Sequence, residues 1–141
     1  MNSRINHLAV WILVVLDQLI GFGWYTAFSN VWLNLHAKTM TDIEQTHDVM
    51  PYIMAIVASI FVNYTLAWLM RRLNVTTASD GFKLAVICWF AFLFVEHATV
   101  SLFSAFGTNQ WPIIFIDMGR AFVAFAISGL VLGAWQKPVT T

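Results

Sequence analysis

Seven polar or ionisable side chains interrupt the long apolar stretches of this sequence. They are Asp17, Gln18, Asn63, Glu96, His97, Asp117 and Arg120. If those stretches cross a membrane, an ionisable group inside them costs at least about 2.5 kcal/mol on insertion scales, so each needs a partner or a function. A carboxyl and an imidazole at one depth are the usual parts of a proton relay or an ion-coupling site. These seven residues therefore form the candidate site.

Depth along the helices predicts which charges meet. At about 1.5 Å per helical residue, Glu96 lies roughly 12 Å and Arg120 roughly 10 Å below the outer boundary. We therefore expect an ion pair between Glu96 and Arg120, with Asp117 one turn outward as a second acceptor. The alternative is that this network only fixes the register of the helices, as buried polar groups do in some proteins.

Asp17 has no second intramembrane cation to neutralise it, since Arg120 is already assigned to Glu96. A protonated His97 is the only candidate counter-ion in the apolar stretches. Otherwise we expect Asp17 to be protonated, because burial in hydrocarbon disfavours the charged form. The plainer alternative is a neutral Asp17 that is hydrogen-bonded to Asn63 or Gln18.

The composition indicates the class of protein to which these residues belong. Of 141 residues, 60% are apolar and only 10% are charged, with seven basic and seven acidic side chains, whereas an ordinary soluble domain is about 25% charged. Zero net charge argues against nucleic acid as a partner, a single cysteine excludes a disulfide scaffold, and the apolar content excludes disorder. A protein whose main partner is the lipid bilayer remains.

Four apolar stretches are each close to the 20 residues that a transmembrane helix needs. They cover residues 8–28, 52–70, 82–105 and 113–135. Backbone groups in lipid must be bonded within their own segment, which requires helices. We predict one all-α membrane domain over residues 1–141, with four transmembrane helices in an antiparallel bundle. The first stretch is not a cleaved signal peptide, because Asp17 interrupts it and no cleavage pattern follows.

Basic residues at or beyond the ends of the stretches predict the orientation. Five flank one side and one flanks the other, namely Arg4, Arg71, Arg72, Lys83 and Lys137 against Lys38. Both termini are therefore expected in the cytoplasm, with the chain in an inner (plasma) membrane. The aromatic residues fit two interfacial belts, an outer one of Trp24, Tyr25, Trp32, Tyr52 and Trp111 and an inner one of Trp11, Trp68, Trp89 and Trp135.

The first outer loop, residues 29–51, is long enough for structure of its own. Thr41 and Glu44 have the spacing of a capping box, which predicts a short amphipathic helix. The loop also holds His36 and His47 near acidic residues, but their spacing matches no metal-binding signature. We therefore expect neither a metal nor another cofactor, and haem is disfavoured because His97 is the only histidine well inside a helix.

Two short motifs frame the chain. The first helix ends in a run with Gly21, Trp24 and Tyr25, followed by Trp32, and the last closes with Gly129, Gly133 and Trp135. This combination resembles the four-helix membrane family known as domain of unknown function 1761, from about residue 8 to residue 135. The resemblance implies four helices and a membrane location, and it implies no known chemistry. The chain departs from the family pattern at Asp117, where an Asn is typical.

Small residues mark faces that helices use to pack against one another. One face lies on the second helix and one on the fourth, formed by Ala55, Ser59, Asn63 and Ala67 and by Gly129 and Gly133. Four helices can bury only some of these faces within one copy. We therefore expect a homo-oligomer.

Two functions of different class fit these observations. The first is a small homo-oligomeric transporter or channel for a proton, an ion or a small solute, which uses the intramembrane polar layer. The second is a non-transporting membrane module that binds a lipid or a partner protein and uses the polar layer for assembly. An enzyme is disfavoured, because the sequence contains no Ser–Lys pair, paired-Asp motif or metal motif of an intramembrane hydrolase.

Overall fold

Four long helices dominate the computed structural model, which describes residues 3–46 and 48–138. They are His7–Ala27, Met50–Arg72, Ala78–Ser104 and Trp111–Ala134, here called the first to fourth spans. Each is long and apolar enough to cross a membrane. Their ends differ from the predicted ones by one to four residues, and the all-α, four-helix membrane class is confirmed.

Local signals account for where the spans begin. Asn6 caps the first span, because its side-chain oxygen accepts a hydrogen bond from the backbone N–H of Ala9. Thr77 caps the third span in the same way through the N–H of Asp80. The second and fourth spans each carry a proline in the first turn. A backbone N–H at this position would have no acceptor within the helix, so proline costs no helical hydrogen bond.

Both described ends of the chain lie at one end of the bundle, here called the terminal end. Ser3–Arg4 and Lys137–Pro138 pair as two short antiparallel strands. The amide of Asn6 donates to the carbonyl of Trp135. The amide of Gln136 donates to the carbonyl of Val75, which lies in the connection between the second and third spans. The opposite end, here called the loop end, carries residues 28–49 and 105–110.

The long loop contains two short helices, Ser29–Leu35 and Met40–Thr46. The second begins one residue before the predicted cap at Thr41, and its observed cap, Thr39, lies two residues before it. Thr39 makes the reciprocal capping contacts instead, since its hydroxyl accepts from the N–H of Asp42 and both its N–H and its hydroxyl donate to the Asp42 carboxylate at 2.7 Å. These bonds hold the pKa of Asp42 below its usual value. His47 lies outside the described residues.

The interior is divided into an apolar half and a polar half. The apolar core lies towards the terminal end and consists of Ala9, Val10, Leu13, Leu66, Ala67, Met70, Ala85, Cys88, Phe125 and Leu132. Large apolar side chains cover the outside of the helices as well, for example Phe22 at 76% and Phe92 at 72% exposure. An apolar exterior of this kind is what contact with lipid requires.

The third span is the least covered of the four. Only 11% of its most apolar segment is buried, against 33% for the fourth span. A π-helical stretch, Trp89–Phe94, interrupts it. Trp89 lies eleven residues into the span, about 16 Å from its start, and its indole N–H donates to the carbonyl of Met118 at 3.1 Å. Trp89 therefore bonds to the fourth span near the middle of the third span.

Candidate functional site

A close ion pair joins the first and fourth spans in the polar half. Nη2 of Arg120 donates to Oδ1 of Asp17 at 2.7 Å, and both side chains are mostly covered, with 24% and 14% of their surface exposed. The expected pairing of Arg120 with Glu96 is therefore wrong, and so is the expectation that Asp17 lacks a guanidinium partner. The pair cancels two charges that hydrocarbon would not tolerate singly.

Asp117, one helical turn from Arg120, is the centre of a second group. Its Oδ1 accepts from the hydroxyl of Tyr25 at 2.9 Å and from the indole N–H of Trp32 at 3.1 Å. Its Oδ2 lies 3.9 Å from Nε2 of His97. That separation is too long for a direct hydrogen bond, and Nε2 is a buried atom with no hydrogen-bond partner in the described part of the chain.

The residues of the motif at the end of the first span each contact a residue of the fourth span. Gly21 lies directly beside Arg120, since a carbon added there would make an ordinary 3.4 Å contact with the guanidinium group. Trp24 donates its indole N–H to the carbonyl of Ile116 at 2.9 Å, and its ring leaves no space for a side chain at Gly119. Together with Tyr25, these contacts fix the first span against the fourth where the acids lie.

The remaining predicted polar residues lie apart from this group. Asn63 accepts from the Ser128 hydroxyl at 2.7 Å and donates to the Ser59 carbonyl at 3.0 Å. Ser128 is eight residues beyond Arg120, about 12 Å closer to the terminal end. Nε2 of Gln18 is buried with no hydrogen-bond partner among the described residues. Glu96 is exposed on the outside of the third span.

Four of the seven predicted residues thus meet, as two pairs that share one face of the fourth span. We call Asp17, Arg120, Asp117 and His97, with Tyr25 and Trp32, the acid–base cluster. Tyr25 and Trp32 were predicted only as interfacial and family-motif residues. One signal could have assigned them to the site: they are seven residues apart, which places two hydrogen-bond donors on one side of a helical path.

The loop histidine His36 lies beside this cluster. Its Nδ1 is 2.8 Å from the carbonyl of Trp32, and the two rings are 4.0 Å apart between centroids. Within residues 3–46 and 48–138, no three His, Cys, Asp or Glu side chains are grouped so as to hold a metal ion. The described contacts of His36 are therefore those of a residue that packs on Trp32.

The fold and the cluster define a class: a multi-pass membrane protein of four apolar helices with an ion pair and an acid–imidazole pair inside it. The family model described as "Protein of unknown function (DUF1761)" matches residues 8–133. The chain belongs to this family, as its two motifs indicated. Comparison with curated proteins and with solved structures gives no match.

Proposed function

We propose that this protein is a small homo-oligomeric transporter or channel that moves a proton, an ion or a small solute across the membrane. The observation that carries the proposal is the pair of Asp117 and His97. One carboxylate oxygen is held by two donors, and the other faces an imidazole nitrogen that has no hydrogen-bond partner among the described residues. This is an acid and a base at one depth, with capacity for a further hydrogen bond on each.

The two pairs of the cluster have different chemical capabilities. Arg120 is permanently charged and is in direct contact with Asp17 at 2.7 Å, so this pair suits a structural role. An imidazole changes its charge in the physiological pH range. A protonated His97 would be drawn towards Asp117, and a neutral one would leave the 3.9 Å separation. Proton exchange at this pair would therefore change the cluster's geometry.

The basic residues support an orientation with the terminal end in the cytoplasm. Arg4, Arg71 and Arg72 lie at that end, and Lys38 lies in the long loop. For an inner (plasma) membrane, the positive-inside rule would place both termini in the cytoplasm. The acid–base cluster would then lie in the outer half of the bilayer, closer to the external solution than to the cytoplasm.

Replacing Asp117 with Asn should abolish transport. Asparagine keeps the size of the side chain and can still accept from Tyr25, but it cannot carry the proton that His97 would exchange. We expect the protein in liposomes to dissipate an imposed pH gradient, followed with an entrapped pH-sensitive dye, and Asp117→Asn to lower that rate by about 100-fold. Tyr25→Phe, which removes one bond to the carboxylate, should cause a smaller loss.

Asp42→Asn is the matched control, because it removes a carboxylate from the exposed loop helix and leaves the cluster unchanged. Its flux should equal that of the unmodified protein. If the unmodified protein carries no pH-sensitive flux, or if Asp117→Asn matches Asp42→Asn, the transport proposal fails. The second candidate, a non-transporting module whose polar layer serves assembly, is then favoured, and the close Asp17–Arg120 contact is the observation that supports it.

The homo-oligomeric part of the proposal rests on Glu96. An ionisable side chain exposed to lipid is costly, and a second copy packed on the third span would cover it. Glu96→Leu removes that cost, so we expect this variant to shift towards the monomer. Light scattering of the purified protein in mild detergent measures the mass.

Val100→Leu, an exposed apolar change one turn further along the same helix, should leave the mass unchanged. If light scattering shows that the unmodified protein is itself a monomer, the homo-oligomer proposal is wrong. An identical mass for Glu96→Leu and the unmodified protein contradicts the role of this residue.

A further inference from the structure

A small cavity opens at the terminal end, between the first, second and fourth spans. Its walls include the guanidinium side chains of Arg4 and Arg71. The indole of Trp135 and the amide of Gln136 also line it. Its free volume is about 20 Å³, which is about what one water molecule needs. A larger group would therefore bind over the opening, between the side chains that flank it.

The two arginines at this cavity have no anionic partner in the part of the chain that the structure describes. Among residues 3–46 and 48–138, no carboxylate forms an ion pair within 4 Å of Arg4 or Arg71, whereas Arg120 contacts Asp17 and Lys83 contacts Asp80. Two like charges on one cavity repel each other unless an anion lies between them. The cavity therefore has unbalanced positive charge.

Two amide side chains beside the cavity each donate a hydrogen bond to a backbone carbonyl. The amide nitrogen of Asn6 donates to the carbonyl of Trp135, and that of Gln136 donates to the carbonyl of Val75. They hold the ends of the first, second and fourth spans together around the opening. The guanidinium groups are the charged donors in the cavity wall, and a guanidinium presents a planar fork that matches phosphate oxygens.

We propose that this cavity binds a phosphate group, with the headgroup of an anionic phospholipid as its source. Arg4 and Arg71 would contact the phosphate oxygens at the end of the apolar helices, which is the level of the lipid headgroups. Trp135, which lines the cavity and is 45% exposed, provides apolar surface for an acyl chain. Basic pockets between transmembrane helices bind anionic headgroups on this basis. The proposal does not depend on transport.

Arg72 provides the matched control. It is next to Arg71 in the sequence and carries the same charge, but its guanidinium carbon lies 5.6 Å from the centroid of the Trp68 ring. It is not part of the cavity wall. A general attraction of the basic terminal end for anionic lipid would depend on Arg71 and Arg72 equally, whereas a built site depends on Arg71.

Binding to the full chain in neutral detergent tests the proposal. Native mass spectrometry should detect one phosphatidylglycerol per chain and no comparable retention of phosphatidylcholine. The double variant Arg4→Gln and Arg71→Gln should weaken phosphatidylglycerol binding by about 10- to 100-fold, the value of one or two charge-assisted hydrogen bonds. Arg72→Gln should bind as the unmodified protein does. Arg71→Lys keeps the charge without the fork and should be intermediate.

Inorganic phosphate distinguishes the source of the anion. If it displaces phosphatidylglycerol only at far higher concentration, the lipid headgroup is the ligand. If it binds as tightly as the lipid, the site takes a free phosphate, and the lipid assignment is overturned. The proposal as a whole is overturned if Arg72→Gln loses as much binding as the double variant, or if phosphatidylcholine is retained equally. If the double variant does not fold, Arg71→Lys still tests the proposal, and its binding of phosphatidylglycerol should be weaker than that of the unmodified protein.

Discussion

Replacing Arg120 with Met should lower the free energy of unfolding by about 3–5 kcal/mol. This is the usual cost of removing one partner of a buried ion pair, because the other charge is left without compensation. Here the charge left behind is Asp17, whose side chain is only 14% exposed. Equilibrium unfolding of the purified protein in mixed micelles measures the change.

A second substitution shows whether the unpaired charge is the cause. Adding Asp17→Asn to Arg120→Met removes the charge that was left alone, so most of the lost stability should return. Glu96→Gln is the matched control, because depth alone made Glu96 the expected partner of Arg120 and it is exposed in the structure. If adding Glu96→Gln to Arg120→Met restores the free energy of unfolding and adding Asp17→Asn does not, the pairing of Arg120 with Asp17 is wrong.

The spans were predictable because their signal is local. A helix that crosses about 30 Å of hydrocarbon must be about 20 apolar residues long whatever it packs against, and composition along the chain is enough to find it. The loop cap was harder, since Thr39–Asp42 and Thr41–Glu44 both have the spacing of a cap. Only the geometry of the loop selects the first of them.

The charge pairs were not predictable because they depend on rotation about the helix axis. Counting residues gives depth, and by depth Glu96 and Arg120 are nearly level. Each span is apolar on most sides, so no polar face indicates which side points inward. The π-helical stretch Trp89–Phe94 adds a change of register just before Glu96 and His97. His97 faces Asp117, and Glu96 lies on the outside.

The hydrogen-bond donors to Asp117 show a second reason why the site could not be predicted from the sequence. Tyrosine and tryptophan have an apolar body with a polar end, and this suits both a membrane interface and a buried hydrogen bond inside a bundle. Tyr25 and Trp32 therefore look like interfacial residues in the sequence. Their bonds to Asp117 arise because the end of the first span and the short helix Ser29–Leu35 both contact the fourth span.

Replacing Gly129 with Ala should be among the most damaging single changes in this protein. The added carbon would lie 2.6 Å from the carbonyl oxygen of Gly81 and 2.7 Å from Cβ of Ala85. Both obstacles belong to backbone or to a β-carbon, so neither can move without displacing the third span. Overpacking of this kind costs about 1–3 kcal/mol or more, and we expect a loss at or beyond the upper value, measured by unfolding in mixed micelles.

Gly23→Ala isolates the cause, because an added carbon at Gly23 has no atom within 4 Å. A helical Gly→Ala change there should be neutral or stabilising by up to about 1 kcal/mol. Equal stability of the two variants would contradict the close approach of the third and fourth spans. The same two spans carry His97 and Asp117, so separating them should also widen the 3.9 Å gap. Gly129→Ala should therefore lower any pH-sensitive flux, and Gly23→Ala should preserve it.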